Sequence, residues 1–406
     1  MSAPLEDITI LDLTHVLAGP YCSMILSDLG AKVIKVEQPG TGDDTRHFPP
    51  FRDGHSAYFA TINRNKQSIA LDLKDDADRA VFERLLSHVD VVMENFRPGV
   101  MERLGYGWDS LSEEYPHLIY GAVSGFGHTG PDSQRPAYDM VVQARGGVMS
   151  ITGEKNRDPV RVGASVGDIV AGMFLGHGLL AALYQRQRTG RGQQVDVAML
   201  DSQLAILEHA VAITSETGVP PGPSGARHPS IAPFEAFHTA DGLLVIACGN
   251  DTLFAKFCGV IGKPKWAKWP QFATNLARCE NVMLLRRKIE TVTLAHPRAH
   301  WIKLFTEAGI PCAPIQNVAE AMRDPQILAR NMVVDMPAPD GKTPFLAAGN
   351  PIKMTGLEDM VSPGPAPLLD GDRDQILAWL EQQDSKTRPE NQPDNVQSPP
   401  VSARSA

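Results

Sequence analysis

Along the first half of the chain, apolar positions come in short runs separated by longer stretches of mixed polarity. The runs at 8–14 (ITILDLT), 31–37 (AKVIKVE), 68–73, 89–95 and 118–124 have the length and β-branched content of single strands. Between them lie a Gly19-Pro20 turn with a helical stretch to residue 29, and a charged helix through about residue 88. Strands spaced by helices predict right-handed βαβ units and a largely parallel sheet. From residue 167 the pattern changes to a long apolar helix, 169–188, closed by TGRG (189–192) with glycine just past the last turn. A strand at 195–199 and another helix follow. PPGP at 220–223 breaks the chain and marks a domain boundary. Beyond it, 234–247 reads as a hairpin around Asp241-Gly242. Helical stretches are expected at 251–262, 281–294 and 298–308, and IPCAP (310–314) closes that unit. Strands and one last helix are expected between 331 and 382. The polar, proline-bearing stretch 384–406 reads as a disordered tail.

At 406 residues and 43% hydrophobic, the chain can bury a sizeable core, and its length predicts roughly two or three domains. The 38 Lys+Arg stand against 47 Asp+Glu, a net charge of −9, which argues against nucleic acid and anionic membranes as partners. Cys22, Cys248, Cys258, Cys279 and Cys312 are scattered, with no Cys-x-x-Cys. Neither a disulfide framework nor a zinc ribbon is expected, and a reducing compartment is favoured. The N-terminus lacks a basic, then apolar, leader. The longest apolar stretch, 169–184, contains His177 and reads as a buried helix rather than a span. These features predict a cytoplasmic protein.

Several residues invite chemistry. GFGHTG (125–130) fits G-x-G-x-x-G after a strand, but Pro131 and Pro136 follow and no helix opens, so it reads as a glycine-rich loop rather than a dinucleotide fingerprint. Asp168, in VGDIVAG, stands at the start of the apolar helix. It reads either as an N-cap or as a carboxylate nucleophile at a glycine-rich corner, kept ionised by the helix dipole. Lys35, Lys74, Arg97 and Arg103 follow strands and helices near one sheet edge. Ligands of such sheets bind along that edge, where Arg97 and Arg103 read as phosphate ligands; the alternative for each of the four is solvated surface charge. His15 follows the first strand and reads as a ligand contact or as a buried, hydrogen-bonded histidine. No metal-ligand spacing, paired-carboxylate spacing, Gly-x-Ser-x-Gly or Walker motif is present, so no metal site is expected.

The chain resembles the class III CoA-transferase family, which includes formyl-CoA:oxalate, carnitine and succinyl-CoA:glutarate CoA-transferases and the related α-methylacyl-CoA racemases. The resemblance runs from residue 5 to about 380. It is carried by HVLAGP (15–20), LGAKVIKVE (29–37), GDDTR (42–46), NRNK (63–66), ENFRPG (94–99), GFGHTGP (125–131), Gly167-Asp168 and TGRG (189–192). It implies an α/β fold in an interlocked homodimer. A Rossmann-like large domain would be built from 1–220 and again from 331–383, with a smaller α+β domain over 225–330 and the active site between the two. Asp168 matches the catalytic aspartate. The coenzyme A positions carry over to His15, Val16, Leu17 and Ala18, to Leu71 and Lys74, to Asn95, Phe96 and Arg97, and to Arg103. Tyr138 and Asp139 match the pantetheine end.

Formyl-CoA transferase has glutamine where Leu17 stands, arginine where Gln38 stands, and four glycines in its active-site loop. Here that loop is GARHPSIAP (225–233). It looks closer to transferases that use succinyl-CoA or acetyl-CoA with a small dicarboxylate, and Arg227, His228 and Ser230 are candidate acceptor contacts. The implied chemistry needs no permanently bound cofactor. Acyl-CoA and a free carboxylate are the substrates, and Asp168 forms an acyl anhydride and then a thioester with CoA. An aspartate near its ordinary pKa is ionised at neutral pH and needs no base, and main-chain N–H groups near Gly249 or Gly225 would face the oxyanions. The alternative is a 2-methylacyl-CoA racemase. The racemases pair the aspartate with a histidine in an Ala-Gly-His-Asp context, whereas Tyr138 stands there in this chain.

Overall fold

The computed structural model describes residues 2–338, 344–359 and 361–387. Six strands form one sheet: β1 (Thr9–Asp12), β2 (Lys32–Glu37), β3 (Gln67–Ala70), β4 (Val91–Glu94), β5 (Ile119–Ser124) and β6 (Gln194–Ala198). Their spatial order is β3-β2-β1-β4-β5-β6 and every pairing is parallel. This is a mixed α/β fold with the strand order of a doubly wound nucleotide-binding sheet. The strands end shorter than the apolar runs that predict them, because pairing stops where the chain turns into the crevice at their carboxyl ends.

Adjacent residues point to opposite faces, so each strand feeds two cores. Leu11, Ile34 and Val92 meet Phe82, Leu85, Ile376 and Leu380 on one face. Ile10, Val33 and Val91 meet Leu26, Ala171, Leu175 and Leu179 on the other. The helices supplying these layers are α1 (Ala18–Asp28), α2 (Asp76–Leu86), the short α3 (Val100–Leu104), α4 (Asp139–Arg145) and α5 (Val166–Thr189), while α6 (Glu208–Thr217) packs into neither. Gly190 closes α5 in the left-handed conformation expected of it (φ 72°).

A second sheet holds β7 (Phe234–Thr239), β8 (Gly242–Ala247) and β9 (Cys312–Pro314), all antiparallel. The hairpin turns at Asp241-Gly242 as its sequence predicts. The segment 310–314, expected only to close the unit, supplies the third strand. α7 (Asp251–Val260), α8 (Val282–Thr293) and α9 (Arg298–Glu307) cover this sheet around Phe237, Phe257, Phe272 and Phe305.

The chain then returns to the first sheet. β10 (Val333–Met336) and β11 (Phe345–Ala348) pair antiparallel and pack on Phe59. α10 (Arg373–Thr387) brings Ile376 and Leu380 into the first core. Edge strand β3 is satisfied by this return: Ser68 N–H donates to Asp372 (2.9 Å) and Ala70 N–H to Asp370 (2.8 Å). Side chains thus take the place of a neighbouring strand. α10 runs past residue 384, where the tail was expected to begin. Asp384 is held by Arg84 (2.8 Å) and His88 (2.7 Å), which extends the helix by a turn. Residues 388–406 of the expected tail lie outside the described residues.

Candidate functional site

Strand order reverses between β1 and β4, so the chains leaving their carboxyl ends diverge and open a crevice. Residues 13–17 leave β1 and residues 95–97 leave β4. The two turns are tied together: His15 N–H donates to Asn95 Oδ1 (2.9 Å) and Asn95 Nδ2 donates to the His15 carbonyl (2.7 Å). The His15 ring lies 5.8 Å from the Phe96 ring. Val16 adopts φ +66°, a left-handed conformation costly for a β-branched residue. Its N–H donates to Asp43 Oδ1 (3.2 Å). Leu17 then opens α1 without a side-chain cap, so the first N–H groups of the helix stay available to a ligand.

A cleft of about 720 Å³ lies along this edge. His15, Leu71, Lys74, Phe96 and Arg103 line it. Arg97 is exposed on the same turn as Phe96. Among the described residues, Lys74, Arg97 and Arg103 have no ion-pair partner, so three cations flank the cleft uncompensated in a chain of net charge −9. Of the other positions expected to contact coenzyme A, Val16 and Asn95 shape the rim through these bonds. Leu17 and Ala18 are buried at the root of α1.

Lys35 is a different case. The sequence placed it among cations near the ligand-binding edge, with solvated charge as the alternative, but it is 1% exposed. It lies 2.9 Å from Asp43 and donates to the Thr14 carbonyl (2.6 Å). Around it runs a buried charge lattice. Lys66 pairs with Asp12 (3.1 Å), and Ser23 donates to the same carboxylate (2.6 Å). Arg46 grips Glu37 with two bonds (2.8 and 2.6 Å). Burial alone would raise these carboxyls, but the facing cations and hydroxyls hold Asp12, Asp43 and Glu37 below the ordinary carboxylate range. GDDTR therefore lines the cleft, and NRNK joins the same buried lattice through Lys66. The readable signal was a lysine and a glutamate inside the apolar run of β2.

Asp168 is not the N-cap of α5. Ser165 occupies that position and Asp168 is the third helical residue. The cap is supplied from outside. Asp139 Oδ1 accepts the Gly167 N–H (2.8 Å), its other oxygen accepts the Gln143 amide (2.8 Å), and Gln143 in turn accepts the Val162 N–H (2.9 Å). A Cβ on Gly167 would stand 2.7 Å from Val142 and 2.9 Å from Asp139, so only glycine admits this approach. Gly172 brings α5 onto α1 in the same way, since a Cβ there would lie 2.4 Å from the Ala18 carbonyl.

Among the described residues no group hydrogen-bonds the Asp168 carboxylate. Burial, reinforced by the negative charge of Asp139, pushes its pKa up to about 7. The helix dipole was expected to keep this acid ionised in the ordinary range, and desolvation outweighs it. Tyr58 was missed by the sequence reading. Its hydroxyl is pushed up to about 12 by burial and by the charges of Asp168, Asp43 and Asp139. Tyr138, at the start of α4, is 74% exposed.

The loop 225–233 is engaged locally. The Arg227 guanidinium donates to the His228 carbonyl (3.2 Å), and its backbone forms an isolated antiparallel β-bridge with Glu235 on β7. The His228 ring stacks on Phe234 (5.2 Å), its Nδ1 accepts the Ser230 N–H (3.2 Å), and burial beside His209 and Arg227 lowers its pKa. Asn275 holds the Ser230 carbonyl (2.8 Å). Within one chain, among the described residues, no hydrogen bond or ion pair joins Arg227, His228 or Ser230 to Asp168. Gly225 N–H already donates to the Gly153 carbonyl (2.8 Å), which removes it as an oxyanion donor in this arrangement; Gly249 is exposed. No group of three or more His, Cys, Asp or Glu side chains among the described residues is arranged to hold a metal ion.

Known proteins share this arrangement. The sequence model of CoA-transferase family III matches residues 5–373. The chain is 45% identical over 368 residues to an acetyl-CoA:oxalate CoA-transferase of Acetobacter aceti, covering 90% of this chain and 93% of that protein. It is 42% identical to a succinyl-CoA:mesaconate CoA-transferase of Haloarcula hispanica (92% and 95% covered). It is 40% identical to the human succinyl-CoA:glutarate CoA-transferase (83% and 77% covered). Among solved structures, a CAIB/BAIF family protein from Brucella suis superposes with a TM-score of 0.82 at 37% identity, covering 94% of this chain and all of that one.

Proposed function

The chain belongs to CoA-transferase family III and is a CoA-transferase, and on that premise we propose how it works and on what. The donor is an acyl-CoA, succinyl-, acetyl- or formyl-CoA, and the acceptor is a small carboxylic or dicarboxylic acid. The named activities of the relatives favour succinyl- or acetyl-CoA with a dicarboxylate. The cleft at the β1–β4 crevice takes the nucleotide, with Lys74, Arg97 and Arg103 facing its phosphates. No permanently bound cofactor is required.

The single observation that carries the mechanism is Asp168, a half-buried carboxylate with no hydrogen-bond partner among the described residues, presented by a helix start that Asp139 fixes. Its ionised form attacks the donor thioester carbonyl, the C–S bond breaks and CoA leaves as thiolate. The thiolate attacks the aspartyl carbonyl of the resulting anhydride, and the donor acid leaves. The acceptor carboxylate then attacks the aspartyl thioester, and the two steps run in reverse. No net proton is consumed. Burial that raises Asp168 also sharpens it as a nucleophile, while binding energy from the nucleotide offsets the cost of the anhydride. Racemisation is the weaker reading, because Tyr138 stands exposed where that chemistry needs a second base.

The protein is proposed to be a homodimer of interlocked chains. The apolar side chains Met173, Phe174, Leu180 and Tyr184 of α5 are exposed within one chain, and α6 buries none of its residues. By length and composition α5 is long and apolar enough to cross a membrane. Its inner face, however, packs Ala171, Leu175 and Leu179 into the core, which favours a subunit interface over lipid. Five free cysteines fit cytoplasmic residence.

Asp168→Ala tests the mechanism. Transfer should fall by roughly 10³ or more, about 4 kcal/mol of barrier, with coenzyme A binding retained. Acyl-CoA with hydroxylamine should leave a hydroxamate on Asp168 of the wild type. Near-normal exchange by the alanine variant would sink the covalent route.

A further inference from the structure

The glycine-rich run 125–130 forms a tight turn after β5. Gly127 takes φ +80° and its N–H donates to Ser124 Oγ (3.0 Å). This folds the chain back over the carboxyl ends of β4 and β6. His128 N–H donates to Asp196 on β6 (3.0 Å), and its ring Nε2 lies 3.4 Å from Glu94 Oε1. Glu94 is the last residue of β4 and its side chain is 3% exposed. Its other oxygen accepts the Phe96 N–H (2.7 Å), and Tyr120 donates to Oε1 (3.2 Å). Among the described residues, His128 is the one cationic partner of Glu94. A buried carboxylate is costly without a counter-charge. Here the counter-charge sits on a side chain that titrates near neutrality.

We propose that His128 is a positioning residue for coenzyme A: its imidazolium, acting through Glu94, holds the turn Asn95–Phe96–Arg97 in the conformation that receives the nucleotide. This rests on the reading of the β1–β4 cleft as the coenzyme A site. The groups facing His128 are Glu94 from β4, Tyr120 from β5, Glu102 from α3 and Asp196 from β6. The close approach of Glu94 (3.4 Å) raises the His128 pKa above its ordinary value, burial opposes the rise, and the charges of Asp196 and Glu102 add to it. The pairing is therefore complete below the ordinary histidine range and is lost as pH rises through the raised value. Affinity for coenzyme A should fall across that interval.

The test is calorimetric titration of free coenzyme A into wild type, His128→Gln and Arg103→Ala from mildly acidic to mildly alkaline pH. The glutamine variant should bind about fivefold more weakly at acidic pH and match the wild type at alkaline pH. Its KM for acyl-CoA should rise with kcat at saturation little moved. Titration of the phosphates of coenzyme A affects all three proteins alike. NMR of labelled histidine should also place the His128 midpoint above the ordinary value in wild type and lower in Glu94→Gln. A wild-type pH profile in His128→Gln, with Arg103→Ala weakened at every pH, overturns the role of His128 alone. Unchanged affinity in Arg103→Ala overturns the cleft reading and this inference with it.

Discussion

In the proposed mechanism Asp168 is the nucleophile, and burial and Asp139 push its pKa up to about 7. Only its ionised form attacks, so kcat should rise with pH through about 7 and level off above it. Asp139→Asn removes the neighbouring charge and keeps an acceptor for the Gly167 N–H, so the acid limb of kcat should move to lower pH. An unmoved limb in saturating rate profiles would refute this coupling. Linkage adds a second sign. Between the unfolded and folded pKa the folded state binds the extra proton, so ionising Asp168 costs stability as pH rises. Asp168→Asn should therefore gain on the order of 2 kcal/mol in urea unfolding at mildly alkaline pH, with a smaller gain near pH 4. At the acceptor end, Arg227→Ala should raise the KM for a dicarboxylate much more than for a monocarboxylate. Equal effects on both acids would mean that the loop does not read the second carboxylate.

The elements that carry the site are held by charge as much as by apolar packing. β1, β2 and the segment 43–66 meet over Asp12, Lys35, Asp43 and Lys66, all nearly inaccessible to solvent. Removing one member of such a lattice leaves its partner charged and unpaired. Lys66→Met should cost about 3–5 kcal/mol in urea unfolding, although the replacement is apolar and of similar length. The loss should be largest above pH 5, where Asp12 would be ionised in the unfolded chain. It should shrink in acid, because the depressed carboxyls Asp12, Asp43 and Glu37 stabilise only until pH falls through their folded values. A loss below about 1 kcal/mol would mean that water reaches this lattice.

At the scale of the whole molecule, the unmatched features are the exposed apolar faces of α5 and α6. A surface with Met173, Phe174, Leu180 and Tyr184 on one helix is expected to be covered. If the chains interlock, separating them requires unfolding. Sedimentation at nanomolar concentration should then show dimer and no folded monomer. A concentration-dependent monomer that keeps its secondary structure would exclude interlocking.

The sequence by itself determined the parallel α/β sheet, the hairpin at Asp241-Gly242, the glycine stop of α5 and the family. Each rests on local periodicity, turn chemistry or a motif contiguous in the chain. Asp168 stood out in the sequence because Gly167-Asp168 is such a motif. Its pKa was not, because the shift comes from desolvation and from Asp139, far away along the chain. Lys35 shows the same limit: a lysine after a strand looks like a ligand until Asp43, Asp12 and Glu37 are folded around it. Tyr58 carried no local signal, and neither did the link from His128 through Glu94 to Phe96. Only the tertiary structure decided these, because electrostatic and hydrogen-bond roles depend on distance and burial, and the order of residues along the chain encodes neither directly.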